Sequence, residues 1–180
     1  MPGHAPKVFA KWKVFRNTGR KTATNPASLE TQLAEMVATF SPAIASLIRA
    51  ARRQMQVLVP HATEMVFDNY NFLVIGYAPN EKSSLAIFSL AAQAMRLSLC
   101  FLPGAGLPDP QRQLRGSGNV VRNIPLVSVA TLDQPAVLEL IRLALERAKV
   151  AMAAGAAHRL IIKSVCTKQR PRRLVSAKVG

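Results

Sequence analysis

Three groups of residues in this chain are of types, and at spacings, that could do chemistry. The first is His61, Glu64 and Asp68. A short helix from His61 to about Phe67 places these three on one side, and imidazole with carboxylate oxygens suits Fe(II). Transient iron storage, however, calls for many exposed carboxylates, and the nine acids of this chain are scattered singly. In the competing reading His61 belongs to an opening turn after Pro60, while Glu64 pairs with a nearby cation or caps backbone groups. The second group is Arg112, Arg115, Gly116, Gly118 and Arg122. Glycine permits backbone conformations that turn N–H groups outward, and the arginines supply charge, so a phosphate or carboxylate could sit there. No Gly-Lys-Ser/Thr follows, which excludes a P-loop, and a structural turn between strands accounts for the same residues.

The third group lies at the two ends. Between residues 7 and 16, Phe9, Trp12 and Phe15 interleave with Lys7, Lys11, Lys13 and Arg16. Lys11, Trp12 and Lys13 are the candidates for nucleic-acid contact, since lysines neutralise phosphates while aromatic rings stack on bases. Alternatively the three rings anchor the arm onto the domain, or onto a second subunit, by apolar burial. At the other end Arg170, Arg172 and Arg173 need no fold to bind phosphate, and Pro171 among them argues against a helix.

Catalysis is not expected. His4, His61 and His158 are the only histidines, and none stands in a nucleophile-elbow or metallohydrolase motif. Cys100 and Cys166 have no CxxC spacing, so neither a disulfide framework nor a zinc site is implied, and iron is the one candidate cofactor.

Charge divides the chain into parts. Residues 1–27 hold six Lys and Arg and residues 157–180 hold seven, neither with an acid, so thirteen of the fifteen net positive charges lie at the ends. Residues 28–156 keep all nine acids. The expected organisation is therefore a basic arm over 1–27, a near-neutral domain over 28–156 and a basic tail over 157–180. Such arms attract polyanions, and nucleic acid or an anionic membrane surface is the expected partner class. With 49% hydrophobic residues the chain as a whole has enough apolar material to bury a core. Gln93 and Arg96 interrupt the most apolar stretch, residues 85–101, so no membrane span is expected. Without a secretory apolar segment, the expected location is cytoplasmic.

The elements that must position these residues follow from periodicity. Leu29, Leu33, Met36, Val37 and Phe40 fall at helical spacing, and Ser41-Pro42 stops that helix and starts the next. In the second helix Ile44, Leu47, Ile48, Ala51, Met55 and Leu58 share a face that Pro60 closes. Residues 72–77, 85–90 and 95–101 are strand candidates joined by Pro79 to Lys82 and by Ala92-Gln93, an antiparallel meander. Val120 to Leu126 returns as a further strand. Pro135 starts a last helix, with Gly155 as its stop. Leu160 to Val165 is either a final strand or part of the tail. The order predicts one α+β domain, an antiparallel sheet packed by helices.

Residues 40–150 resemble a known family. The segments Phe101-Leu102-Pro103-Gly104, Leu107-Pro108-Asp109-Pro110, Leu114-Arg115-Gly116-Ser117-Gly118-Asn119 and Arg122-Asn123-Ile124-Pro125-Leu126, with Glu64 upstream, are similar to the YdhG-like domain of unknown function. The chain departs from that pattern at Asn119, where Lys is common, and at residues 68–72, which lack a Pro. The resemblance implies a small α+β fold and, for some members, a frataxin-like role as an intracellular iron chaperone.

Overall fold

The helices begin where the chain supplies a proline and, for the first two, a capping side chain. In the computed structural model, which describes residues 25–173, Asn25 accepts a hydrogen bond from the Ala27 amide at 3.2 Å and opens α1 (Pro26–Ala38). Ser41 faces the Ile44 amide at 3.5 Å and opens α2 (Pro42–Leu58). Proline at the first helical position lacks only an N–H that would have no partner there. α3 (Pro135–Glu146) also starts at a proline, without a side-chain cap. It ends well short of Gly155, which instead turns an irregular connection with φ of +80°.

Six strands form one sheet in the order β5-β4-β3-β2-β1-β6. β1 (Thr63–Asp68), β2 (Leu73–Ala78), β3 (Phe88–Gln93), β4 (Arg96–Phe101) and β5 (Arg122–Leu126) are antiparallel neighbours, whereas β6 (Arg159–Val165) pairs parallel to β1. The expected α+β architecture, helices packed on a mostly antiparallel sheet, is what forms. All three helices contribute to one face. Leu33, Val37, Ile48, Met55, Val137 and Ile141 join Val66, Ile75, Phe88, Leu99 and Ile124 in a single core, with Phe88 and Phe101 edge-to-face at 5.6 Å. On the opposite face Val74, Ala91 and Cys100 make a smaller cluster with Phe67, Phe72, Leu102 and Val121.

Three expectations need correction. Residues 61–67 do not form a helix: Thr63 to Asp68 is a strand lying between β2 and β6. Its polar residues hid it, because Glu64 and Asp68 point to the helix-covered face, where the period-two pattern asks for apolar side chains. The meander shifts by about three residues at β3: Ser83–Leu85 is a 3-10 turn, and Gln93 pairs with Arg96 across the hairpin. The tail does not begin at 157 as a free arm, since β6 is an integral strand and residues up to 173 remain bound to the domain.

Gly104, in a 3-10 turn after β4, is the most tightly enclosed of the described glycines. A Cβ there would lie 2.8 Å from Arg122 Cβ and 2.9 Å from both the Arg122 amide nitrogen and Phe101 Cβ. Around Gly106 nothing lies within 4 Å. Gly104→Ala is therefore expected to destabilise by about 1–3 kcal/mol, seen as a lower urea midpoint, while Gly106→Ala leaves the midpoint within about 0.5 kcal/mol of the parent.

Candidate functional site

β1 carries two buried carboxylates on one face, and each is held by an arginine from elsewhere in the chain. Glu64 stands opposite Tyr77 on β2 and Leu160 on β6 and is 0% exposed. Arg52, on the inward side of α2, donates from Nε at 2.9 Å and Nη2 at 2.6 Å to Glu64 Oε2. The same guanidinium holds Glu30 of α1 at 2.7 and 2.6 Å. Gln56, one turn further along α2, lies 3.4 Å from both Glu64 oxygens, and His158 Nε2, just before β6, lies 3.2 Å from Oε2. Side chains of α2 and of the segment before β6 thus converge on one carboxylate, and Arg52 ties it on to α1.

The titration of these groups follows from that geometry. Burial works against a charged Glu64, but hydrogen bonds from His158 and Arg52 and the Arg52 charge outweigh it, so the carboxyl titrates below its usual range. The bond to Glu64 raises His158 above the usual imidazole range against partial burial. Tyr77 is fully buried beside Glu64, and burial first and the Glu64 charge second push its phenol well up. A carboxylate already held by three donors is a weak base, and a phenol so raised is a weak acid. The arrangement fastens elements together.

Asp68, at the other end of β1, does the same for the C-terminal segment. Its carboxylate accepts from Arg172 Nη2 and, at 2.7 Å, from Gln169 Nε2, and its carbonyl accepts from the Cys166 amide at 2.8 Å. The Arg172 guanidinium lies 4.9 Å from the centre of the Phe40 ring and bonds Thr39 Oγ1 at 3.4 Å and the Asn69 carbonyl at 3.3 Å. Arg173 donates to the Phe40 carbonyl at 2.9 Å and to the Ala38 carbonyl, satisfying the C-terminal end of α1. The Arg170 amide bonds the Tyr70 carbonyl at 2.8 Å.

These contacts redistribute the expected site residues. Glu64 and Asp68 do not share a helix face with His61. They are four positions apart on a strand, roughly 13 Å at ~3.3 Å per residue, and His61 Nδ1 sits 3.0 Å from the Ala156 carbonyl. Among the described residues no group of three His, Cys, Asp or Glu side chains could hold a metal ion. Arg172 is 6% exposed and neutralises Asp68, so it is not available to a phosphate, and two of the Arg173 nitrogens already serve α1. Arg170 stays exposed. Lys11, Trp12 and Lys13 lie outside the described residues. In the glycine loop, Arg115 bridges Asn123 through paired backbone bonds of 2.8 and 2.9 Å, and Gly116 takes φ of +112°. Arg122 turns inward to the Gly118 and Val121 carbonyls, and Asp109 accepts from the Gln113 and Leu114 amides. The loop is thus a fastened turn past Gly118 from which Arg112 and Arg115 project as exposed cations.

Sequence reasoning did not single out Arg52, His158 or Tyr70. One signal was present: two acids inside the run Thr63-Glu64-Met65-Val66-Phe67-Asp68 must find cations once buried, and both tails lack acids of their own. Comparison with family models, curated proteins and solved structures finds no match to this chain. The YdhG-like resemblance rests on the quoted residues alone.

Two outcomes follow. Arg172→Ala leaves Asp68 buried without its cation and is expected to lower stability by about 3–5 kcal/mol in urea unfolding, against about 0.5 kcal/mol or less for exposed Lys168→Ala. His158, with its folded pKa raised, contributes stability that is fully present below its unfolded pKa of about 6.5 and is lost as pH rises through the higher folded value. The stability gap between the parent and His158→Ala should accordingly shrink on going from pH ~6 to pH ~9. Glu64 acts in the opposite sense: its contribution holds above its unfolded pKa and is lost as pH falls through its depressed folded value.

Proposed function

We propose that the chain is a non-catalytic binding module for an anionic macromolecule. The observation that carries this reading is the uneven use of charge. Seventeen of the 24 Lys and Arg lie in the described residues together with all nine acids. Six of those acids are ion-paired to just four arginines, Arg52, Arg142, Arg159 and Arg172. Thirteen cations of the described residues are left outside any ion pair, and residues 1–24 add six more with no acid. Such a surface draws polyanions by long-range attraction and by release of their counterions.

Two further features support binding over turnover. Each buried carboxylate of β1 is already engaged by a guanidinium partner, Glu64 by Arg52 and Asp68 by Arg172. Burial pushes the Cys100 thiol up to about 11, the Ser89 hydrogen bond acting the other way, so it is not a thiolate at neutral pH. No described helix is long and apolar enough to cross a membrane.

The test uses the whole chain, because removing residues 157–180 would take away β6 and Arg172. Labelled heparin and a labelled DNA duplex, titrated by fluorescence anisotropy, should both bind at about 50 mM salt and lose affinity at about 200 mM, by ~10³-fold if some six phosphates are contacted. Lys11→Ala with Lys13→Ala should reduce the slope of log K against log salt for the duplex by up to about two. Absence of binding to either polyanion at the lower salt overturns the proposal.

A further inference from the structure

The segment after β6 and the β1–β2 turn meet at one end of the sheet, and what they display there is specific. Tyr70 sits at the tip of a turn closed by the Asn69 amide on the Phe72 carbonyl at 2.8 Å, and its own carbonyl is held by the Arg170 amide at 2.8 Å. The ring-bearing residue is nonetheless 46% exposed, the one aromatic among the large exposed hydrophobics of the described residues. Val165, in register beside Asp68, is 55% exposed at the same end of the sheet. Lys168 and Arg170 are exposed on the same segment. The acid at this place, Asp68, is 3% exposed and already neutralised by Arg172, so it does not oppose an incoming phosphate.

We infer that this end of the sheet is a platform for single-stranded nucleic acid, with Tyr70 stacking on a base while Lys168 and Arg170 hold the adjoining phosphates. The inference rests on the anionic-partner reading and narrows it to one place and one class of ligand. An exposed aromatic residue fixed at its backbone, with exposed cations on the segment bonded to it, suits a strand whose bases are open to stacking. A duplex keeps its base faces internal and can use only the cations. Arg172 takes no part in contact; it places Arg170 and Tyr70 side by side by holding the segment against Asp68.

The experiment is anisotropy on the full chain with labelled single-stranded DNA and RNA, a duplex of the same sequence, heparin and anionic phospholipid vesicles. Tyr70→Ala is expected to weaken single-strand binding about tenfold and to leave duplex and heparin binding unchanged, while Tyr70→Phe, which keeps the ring, retains the parent affinity. Lys168→Ala with Arg170→Ala should lower the single-strand salt slope by about 1.4, at ~0.7 per phosphate. Bromouracil photocrosslinking to the parent chain, which needs no variant to fold, should mark Tyr70. Unchanged single-strand binding in Tyr70→Ala with heparin binding intact overturns the platform and leaves the module reading standing. Crosslinks that avoid Tyr70, or a loss confined to vesicles, also overturn it. Absence of binding to every anion removes both.

Discussion

A carboxylate at the end of a buried strand cannot remain charged without a cation, and much of this molecule is arranged around that requirement. Asp68 terminates β1 at the helix-covered side of the sheet, and Arg172 reaches it from more than a hundred positions away. Holding Arg172 there draws Gln169 onto the same carboxylate, sets Arg170 beside Tyr70 and brings Arg173 to the last carbonyls of α1. A stretch that by composition belongs to disordered, basic termini is thereby part of the domain. Arginine fits this position because its planar fork serves a carboxylate, a carbonyl, a hydroxyl and an aromatic face at once, which a lysine ammonium does not.

Glu64 repeats the device at the beginning of the same strand. Arg52 links it to α1 and α2, and His158 links it to the start of β6. Among the described strands β1 and β6 are the only parallel neighbours, a pairing slightly weaker per residue than the antiparallel kind, and their register shifts between Val66 and Phe67. Ionic contacts at both ends of β1 leave β6 one alignment that satisfies them. Buried ion pairs often add little net stability over apolar replacements, yet they penalise every arrangement that leaves a charge unmatched. Here that selectivity fixes which strand docks on β1 and where.

How far the sequence could be followed depended on whether polar residues obeyed the local pattern. Ser41-Pro42, the apolar face from Ile44 to Met55 and the alternation through Leu97, Leu99 and Phe101 all point the same way as the final fold, and α2 and β4 formed close to expectation. β1 did not, because its two carboxylates occupy core positions and only make sense once their distant partners are known. The same gap hid the site. Composition alone treated all the terminal arginines as equivalent, whereas burial separates Arg172, which is structural, from Arg170, which is exposed. Tyr70 carried no periodic signal at all; its exposure is a property of the turn that holds it.

The parallel pairing of β6 with β1 also has a consequence for the order of assembly. In a growing chain the helices and the β1 to β5 meander are made first, and Thr63 must wait for Arg159 before its second neighbour exists. At ~5–20 residues per second that interval is on the order of ten seconds. Throughout it the outer edge of β1 is open, Asp68 has no counter-charge and the Glu64 cluster lacks His158. Closure then adds the pairing with the greatest sequence separation in the sheet, the kind that forms slowly. A ribosome-bound or prematurely terminated chain would present β1 as an unpaired template, which makes the nascent polypeptide, not the finished one, the form most exposed to misassociation.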